Sequence, residues 1–180
     1  MNLPNKITIA RVFMIPVFLI IYLVPDIPYG NYFAAAVFIV ACLTDALDGY
    51  LARKYHLITN FGKFMDPLAD KLLVSAALIC FVELRLIPAW IIIVIISREF
   101  IISGFRLVAS DNGVVIAASY IAKFKTTAQM IMSVLLIINL DLSFFNLLEQ
   151  IFIYLSLILT VVSLVDYLYR NRKVLSENNK

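Results

Sequence analysis

Six apolar stretches, each near the length a bilayer demands, take up most of this chain. They run at about residues 7–24, 32–51, 67–84, 87–108, 114–139 and 147–169. A helix needs about 20 predominantly apolar residues to cross the hydrocarbon core. The composition agrees: 63% of the 180 residues are hydrophobic and only 15% are charged, against about 25% charged in an ordinary soluble domain. Such a chain has too little polar surface to cover itself in water. The prediction is an all-α integral membrane protein, one domain of residues 1–180 with six transmembrane helices.

The breaks and the charges set the topology. Pro25-Asp26-Ile27-Pro28-Tyr29-Gly30-Asn31 is a turn between the first two spans, and Asn112-Gly113 a turn between the fourth and fifth. Met1-Asn2-Leu3-Pro4-Asn5-Lys6 leads into the first span without a small-residue cleavage pattern, so no cleavable signal is expected. Six spans put both termini on one side. That side collects nearly all the lysines and arginines, and the other keeps Arg85 beside Asp26, Glu83, Asp141 and Glu149. By the positive-inside rule both termini are cytoplasmic, in a multi-pass protein of the cell membrane. Tyr22, Tyr32, Trp90, Tyr167 and Tyr169 suit an interfacial aromatic belt. Cys42 and Cys80 lie in apolar runs and read as reduced packing residues, since two cysteines define no disulfide framework.

Against this background four carboxylates stand out: Asp45, Asp48, Asp66 and Asp70. Insertion scales charge roughly 2.5–3.5 kcal/mol for one ionised group at the centre of a spanning helix. Asp45, Asp48, Gly49 and Ala52 follow i, i+3, i+4, i+7 spacing, one stripe of a helix. Gly62, Asp66 and Asp70 follow i, i+4, i+8 if their segment is helical throughout. Pro67 fits best in a first helical turn, which leaves Asp66 as an N-cap as the alternative. Two such helices joined by a short loop pack antiparallel, so the carboxylate faces can meet. Four hard oxygen donors suit Mg²⁺ or Mn²⁺ and not a Cys/His zinc site, and metal pairs of this type serve phosphoryl and nucleotidyl chemistry. One aspartate at a membrane edge is as well explained by pairing with Arg53, Lys63 or Lys71. Four on two matched faces, with glycines at helical offsets, are not. The single histidine, His56, receives no role.

The full pattern is Asp45-x-x-Asp48-Gly49-x-x-Ala52-Arg53, eight residues, then Gly62-x-x-x-Asp66-x-x-x-Asp70. It resembles the signature of the CDP-alcohol phosphotransferase family, with every motif position filled. The six spans agree with that family's six-helix membrane fold. The resemblance implies that Asp45, Asp48, Asp66 and Asp70 hold two divalent cations, Mg²⁺ or Mn²⁺. It implies that Gly49, Ala52, Arg53 and Gly62 border the CDP moiety, and that Asp70 is the base for an acceptor hydroxyl. It also implies a homodimer.

Cations outside the signature bear on the acceptor. Asn5, Thr8 and Arg11 share one face of the first helix; Arg98, with Glu99 beside it, and Arg106 lie two turns apart in the fourth; Lys123, Lys125 and Thr126 open the cytoplasmic half of the fifth. Placed at similar cytoplasmic depth, they are candidates to converge on an anionic group, Arg binding phosphate bidentately and Lys as a point charge. Snorkelling to lipid headgroups explains Lys123 equally well and Arg98 poorly. This arrangement resembles the branch of the family whose acceptor is sn-glycerol 3-phosphate and whose donor is CDP-diacylglycerol. The rivals within the family are cardiolipin, phosphatidylinositol-phosphate and phosphatidylserine synthases. From another class the rival is a cation-coupled transporter, but the two related halves with interrupted spans typical of those proteins are not seen. Arg170-Asn171-Arg172-Lys173 reads as a contact for anionic membrane lipids. No nucleic-acid partner is expected.

Overall fold

The computed structural model describes residues 3–54, 60–111, 116 and 119–172; of residues 3–6, 45–54, 60–67, 70, 110 and 111 it describes the backbone alone. Six α-helices follow one another: α1 (Leu3–Leu23), α2 (Gly30–Lys54), α3 (Asn60–Glu83), α4 (Ala89–Asp111), α5 (Tyr120–Ile138) and α6 (Ser143–Arg170). Among the described residues no other regular element occurs. Each coincides with an apolar stretch of the sequence. By length and composition, α5 and α6 are apolar enough to cross a membrane.

Two helices begin elsewhere than hydropathy predicts. α3 starts at Asn60, so Pro67 lies well inside it and Asp66 is a helical residue, not an N-cap. The first two turns of α3 mix Asn60, Gly62, Lys63 and Asp66 with Phe61, Phe64 and Met65, too many polar residues for a hydropathy window to register. Proline inside a helix removes one hydrogen bond, which helices in apolar surroundings accommodate; α1 likewise runs through Pro16. α5 starts at Tyr120 instead of residue 114, because Ser119 caps it: the Ser119 hydroxyl accepts from the Ala122 N–H at 3.2 Å, the geometry of an N-cap bonding its N3 amide. The predicted Asn112-Gly113 turn lies outside the described residues.

The chain divides into two compact units. The first contains α1, α2, α3 and the end of α5 from Ser133. α1 and α2 form an antiparallel hairpin through the predicted turn, where the Gly30 N–H bonds the Ile27 carbonyl at 3.0 Å. A Cβ at Gly30 would stand 3.0 Å from the Ile21 carbonyl oxygen, a tight contact that glycine avoids where α2 returns close past α1. The core here is aromatic. The Phe18 ring lies 5.4 Å from Tyr22 and 6.0 Å from Phe38, and Tyr22 meets Phe81 edge-on at 6.2 Å. The Tyr22 hydroxyl donates to the Leu136 carbonyl at 3.2 Å. Tyr22 is therefore a core residue and not part of an interfacial belt; its ring fills the packing and its hydroxyl finds a buried acceptor.

α3 ends in a Schellman motif. The Leu86 N–H bonds the Phe81 carbonyl at 2.8 Å and the Arg85 N–H bonds Val82 at 3.0 Å, with Arg85 at φ 59° where glycine is usual. α5 ends on Asn139, at φ 45°, donating to the Leu135 carbonyl. Asparagine tolerates that left-handed conformation well.

The second unit contains α4, the first part of α5 and α6. α6 presents Glu149, Ile153, Ser156, Thr160, Ser163 and Tyr167 inward, a heptad-like stripe whose small polar members let a neighbouring helix approach closely. α4 packs on α6, and Phe105 meets Tyr167 edge-on at 5.5 Å. Tyr167 is thus a second belt candidate that is buried instead. Tyr32, Trp90 and Tyr169 are exposed, as a belt requires.

Candidate active site

The backbone fixes where the aspartate motif stands. Asp45, Asp48, Gly49, Ala52 and Arg53 fall in the last turns of α2, and Gly62, Asp66 and Asp70 in the first half of α3. Both helices belong to the first unit and pack together. The side chains of all eight residues lie outside the described ones. Helical continuity from Asn60 to Glu83 does supply the condition for Gly62, Asp66 and Asp70 to share a stripe.

α1 runs alongside this pair, and the aromatic contacts give its register. Seven residues from the Phe18–Phe38 contact, toward the start of α1 and the end of α2, stand Arg11 and Asp45. Eleven residues back from the Tyr22–Phe81 contact stand Arg11 and Asp70. At about 1.5 Å per residue on each helix, Arg11 shares a level of the first unit with two of the four aspartate positions. Arg11 is 1% exposed and Thr8, one turn earlier, is fully buried. A buried guanidinium is stable only with anionic or strongly accepting company. Asn5, the third member of that face, has its side chain outside the described residues.

The second unit shows its polar contacts directly. Arg98 of α4 is 5% exposed; its Nε donates to the Ser163 hydroxyl of α6 at 3.1 Å and its Nη1 to the Glu99 carboxylate at 3.0 Å. Lys125 of α5, 1% exposed, pairs with the same Glu99 oxygen, Oε1. One carboxylate oxygen thus bridges two buried cations, and Ser163 holds the first of them from α6. Both are buried, which rules out snorkelling for Lys125 as well as for Arg98. Arg106, two turns on, is exposed, as are Lys123 and Thr126. Lys123 lies over the Tyr120 ring at 5.4 Å, and the Thr126 hydroxyl donates back to the Ala122 carbonyl at 3.0 Å.

Neither Ser163 nor Glu99 is a candidate from the sequence. The polar positions Ser156, Thr160, Ser163 and Tyr167, repeating at heptad spacing within an apolar helix, were the available signal for the first. Neighbours in a helix do not face each other, so nothing in an Arg-Glu pair announces the bond seen here. Among the described residues no cluster of three or more Asp, Glu, His or Cys could hold a metal. The motif aspartates, hard oxygen donors on two packed helices, are a donor set that fits Mg²⁺ or Mn²⁺.

These features define an all-helical protein with two helices apolar enough to cross a membrane, an aspartate motif on one helix pair and buried cations on three other helices. Residues 1–162 match the family model described as CDP-alcohol phosphatidyltransferase, and the chain belongs to that family. The family is membrane-bound and generally uses a divalent metal. A relative from Bacillus subtilis, named CDP-diacylglycerol–glycerol-3-phosphate 3-phosphatidyltransferase, is 48% identical over 99% of both chains. Relatives of the same name from Haemophilus influenzae and Rickettsia bellii are 40% and 35% identical. They cover 98% and 92% of this chain, and 97% and 93% of their own.

Proposed function

We propose that the chain transfers the phosphatidyl group of CDP-diacylglycerol to sn-glycerol 3-phosphate, giving phosphatidylglycerophosphate and CMP in phospholipid biosynthesis. The observation that carries this is the 48% identity, end to end, with a relative that bears the name of that reaction. We treat residues 1–180 as one catalytic domain crossing the cell membrane six times, with both termini and the site at the cytoplasmic face. The one-sided distribution of lysine and arginine supports that orientation, and the family resemblance supports a homodimer.

The chemistry needs a deprotonated hydroxyl, a phosphorus made electrophilic and a leaving group kept stable. Asp45, Asp48, Asp66 and Asp70 would hold two divalent cations, Mg²⁺ or Mn²⁺, which supply charge neutralisation of the diphosphate when bound. Gly49, Ala52 and Gly62 leave room beside the helix backbones for the cytidine nucleotide, with Arg53 at its border. Asp70 accepts the proton of the glycerol 3-phosphate hydroxyl. The oxygen so released bonds to the phosphorus carrying diacylglycerol, and the bond from that phosphorus to the CMP oxygen breaks. Asn5, Thr8 and Arg11 of α1 bind substrate phosphate at the aspartate level. Arg98, Arg106, Lys123, Lys125 and Thr126 bind the phosphate that the acceptor already carries, Arg98 and Lys125 as buried charges.

Purified protein given CDP-diacylglycerol, glycerol 3-phosphate and Mn²⁺ or Mg²⁺ tests this. CMP and phosphatidylglycerophosphate are expected in equal amounts. Folded protein that yields neither would overturn the proposal.

A further inference from the structure

The geometry points to Glu99 as a positioning residue that holds Arg98 and Lys125 together as one preformed anion-binding pair, a role that depends on glycerol 3-phosphate being the acceptor. Three observations support it. Glu99 Oε1 takes both the Arg98 Nη1 and the Lys125 ammonium. The two cations come from different helices, α4 and α5, so the Glu99–Lys125 pair ties one helix to the other through side chains. The Glu99 side chain is 25% exposed while those of Arg98 and Lys125 are 6% and 2% exposed, so the carboxylate lies at the open edge of the group.

Without a carboxylate between them, two buried ammonium and guanidinium heads repel each other and separate. With it, they are fixed in place and the trio keeps one positive charge. Ser163 engages the Nε and Glu99 the Nη1 of Arg98, so the guanidinium is held from two sides. A phosphate then meets donors already in position and loses less freedom on ordering them. The opposite role, a carboxylate occupying the phosphate's place until displaced, makes the opposite prediction for affinity.

The test uses full-length enzyme in detergent, with wild type, Glu99→Gln and Glu99→Asp compared for KM toward each substrate and for kcat. Glu99→Gln is expected to raise KM for glycerol 3-phosphate at least tenfold, with kcat and KM for CDP-diacylglycerol changed less than about threefold. Glu99→Asp keeps the charge but is one methylene shorter, and is expected to restore part of the affinity. If Glu99→Gln fails to fold, Glu99→Asp carries the test, with a smaller rise in the same KM alone. An unchanged or lower KM for glycerol 3-phosphate overturns the inference, as does an equal loss in every parameter. Wild type inert toward glycerol 3-phosphate would instead overturn the proposed reaction.

Discussion

The two units of this protein treat charge in different ways. The first gathers four aspartate positions on α2 and α3 and a buried arginine on α1, around a core of Phe18, Tyr22, Phe38 and Phe81. In the second, one carboxylate, Glu99, answers two buried cations, Arg98 and Lys125, beside a packing face of small polar residues on α6. A carboxylate surplus suits metal binding and proton transfer. A cation pair with one counter-charge suits holding an anion without reacting with it. On the proposed reaction, chemistry falls to the first unit and acceptor recognition to the second, and substitutions in the two should therefore change different kinetic constants.

The largest effect is expected in the first unit. Asp70→Asn removes the proposed base and should lower kcat by about 10²- to 10⁴-fold while CDP-diacylglycerol still binds; loss of that binding would make Asp70 a metal ligand first. In the second unit, Arg106→Ala should raise KM for glycerol 3-phosphate about tenfold, equivalent to roughly 1.4 kcal/mol, and leave KM for CDP-diacylglycerol nearly unchanged. Equal effects on both substrates would break the division of labour.

Stability changes sharpen the comparison further. Gly30→Ala sets a methyl against the Ile21 carbonyl and should cost about 1–3 kcal/mol in thermal unfolding, with kinetic constants unaltered at temperatures where the protein stays folded. Ser163→Ala leaves the Arg98 Nε without its acceptor, at a cost of about 1–3 kcal/mol, and should weaken glycerol 3-phosphate binding as well. Tyr22→Phe removes one buried hydrogen bond and should cost about 1 kcal/mol, whereas Tyr32→Phe, at an exposed site, should cost nothing measurable.

Much of the fold was legible because hydropathy marks long apolar helices whatever they pack against. That same indifference explains the errors. Apolar surroundings look alike whether they are lipid or protein core, so Tyr22 and Tyr167 read as interfacial when both are buried. The start of α3 was hidden because polar residues interrupt Asn60 to Asp66 although it is helical, and the start of α5 because Ser119 caps the helix within a stretch still apolar by composition. The aspartate motif was legible because carboxylates are costly in an apolar chain and their spacing is helical. Glu99 and Ser163 were not, since their roles arise from α4, α5 and α6 meeting in space.

The most direct measurement offers the purified protein CDP-diacylglycerol with four acceptors in separate reactions: glycerol 3-phosphate, inositol phosphate, serine and phosphatidylglycerol. Release of CMP is followed in each. The account predicts rapid release with glycerol 3-phosphate and only background with the other three. Faster release with any of the others, or none with glycerol 3-phosphate from folded protein, would contradict it.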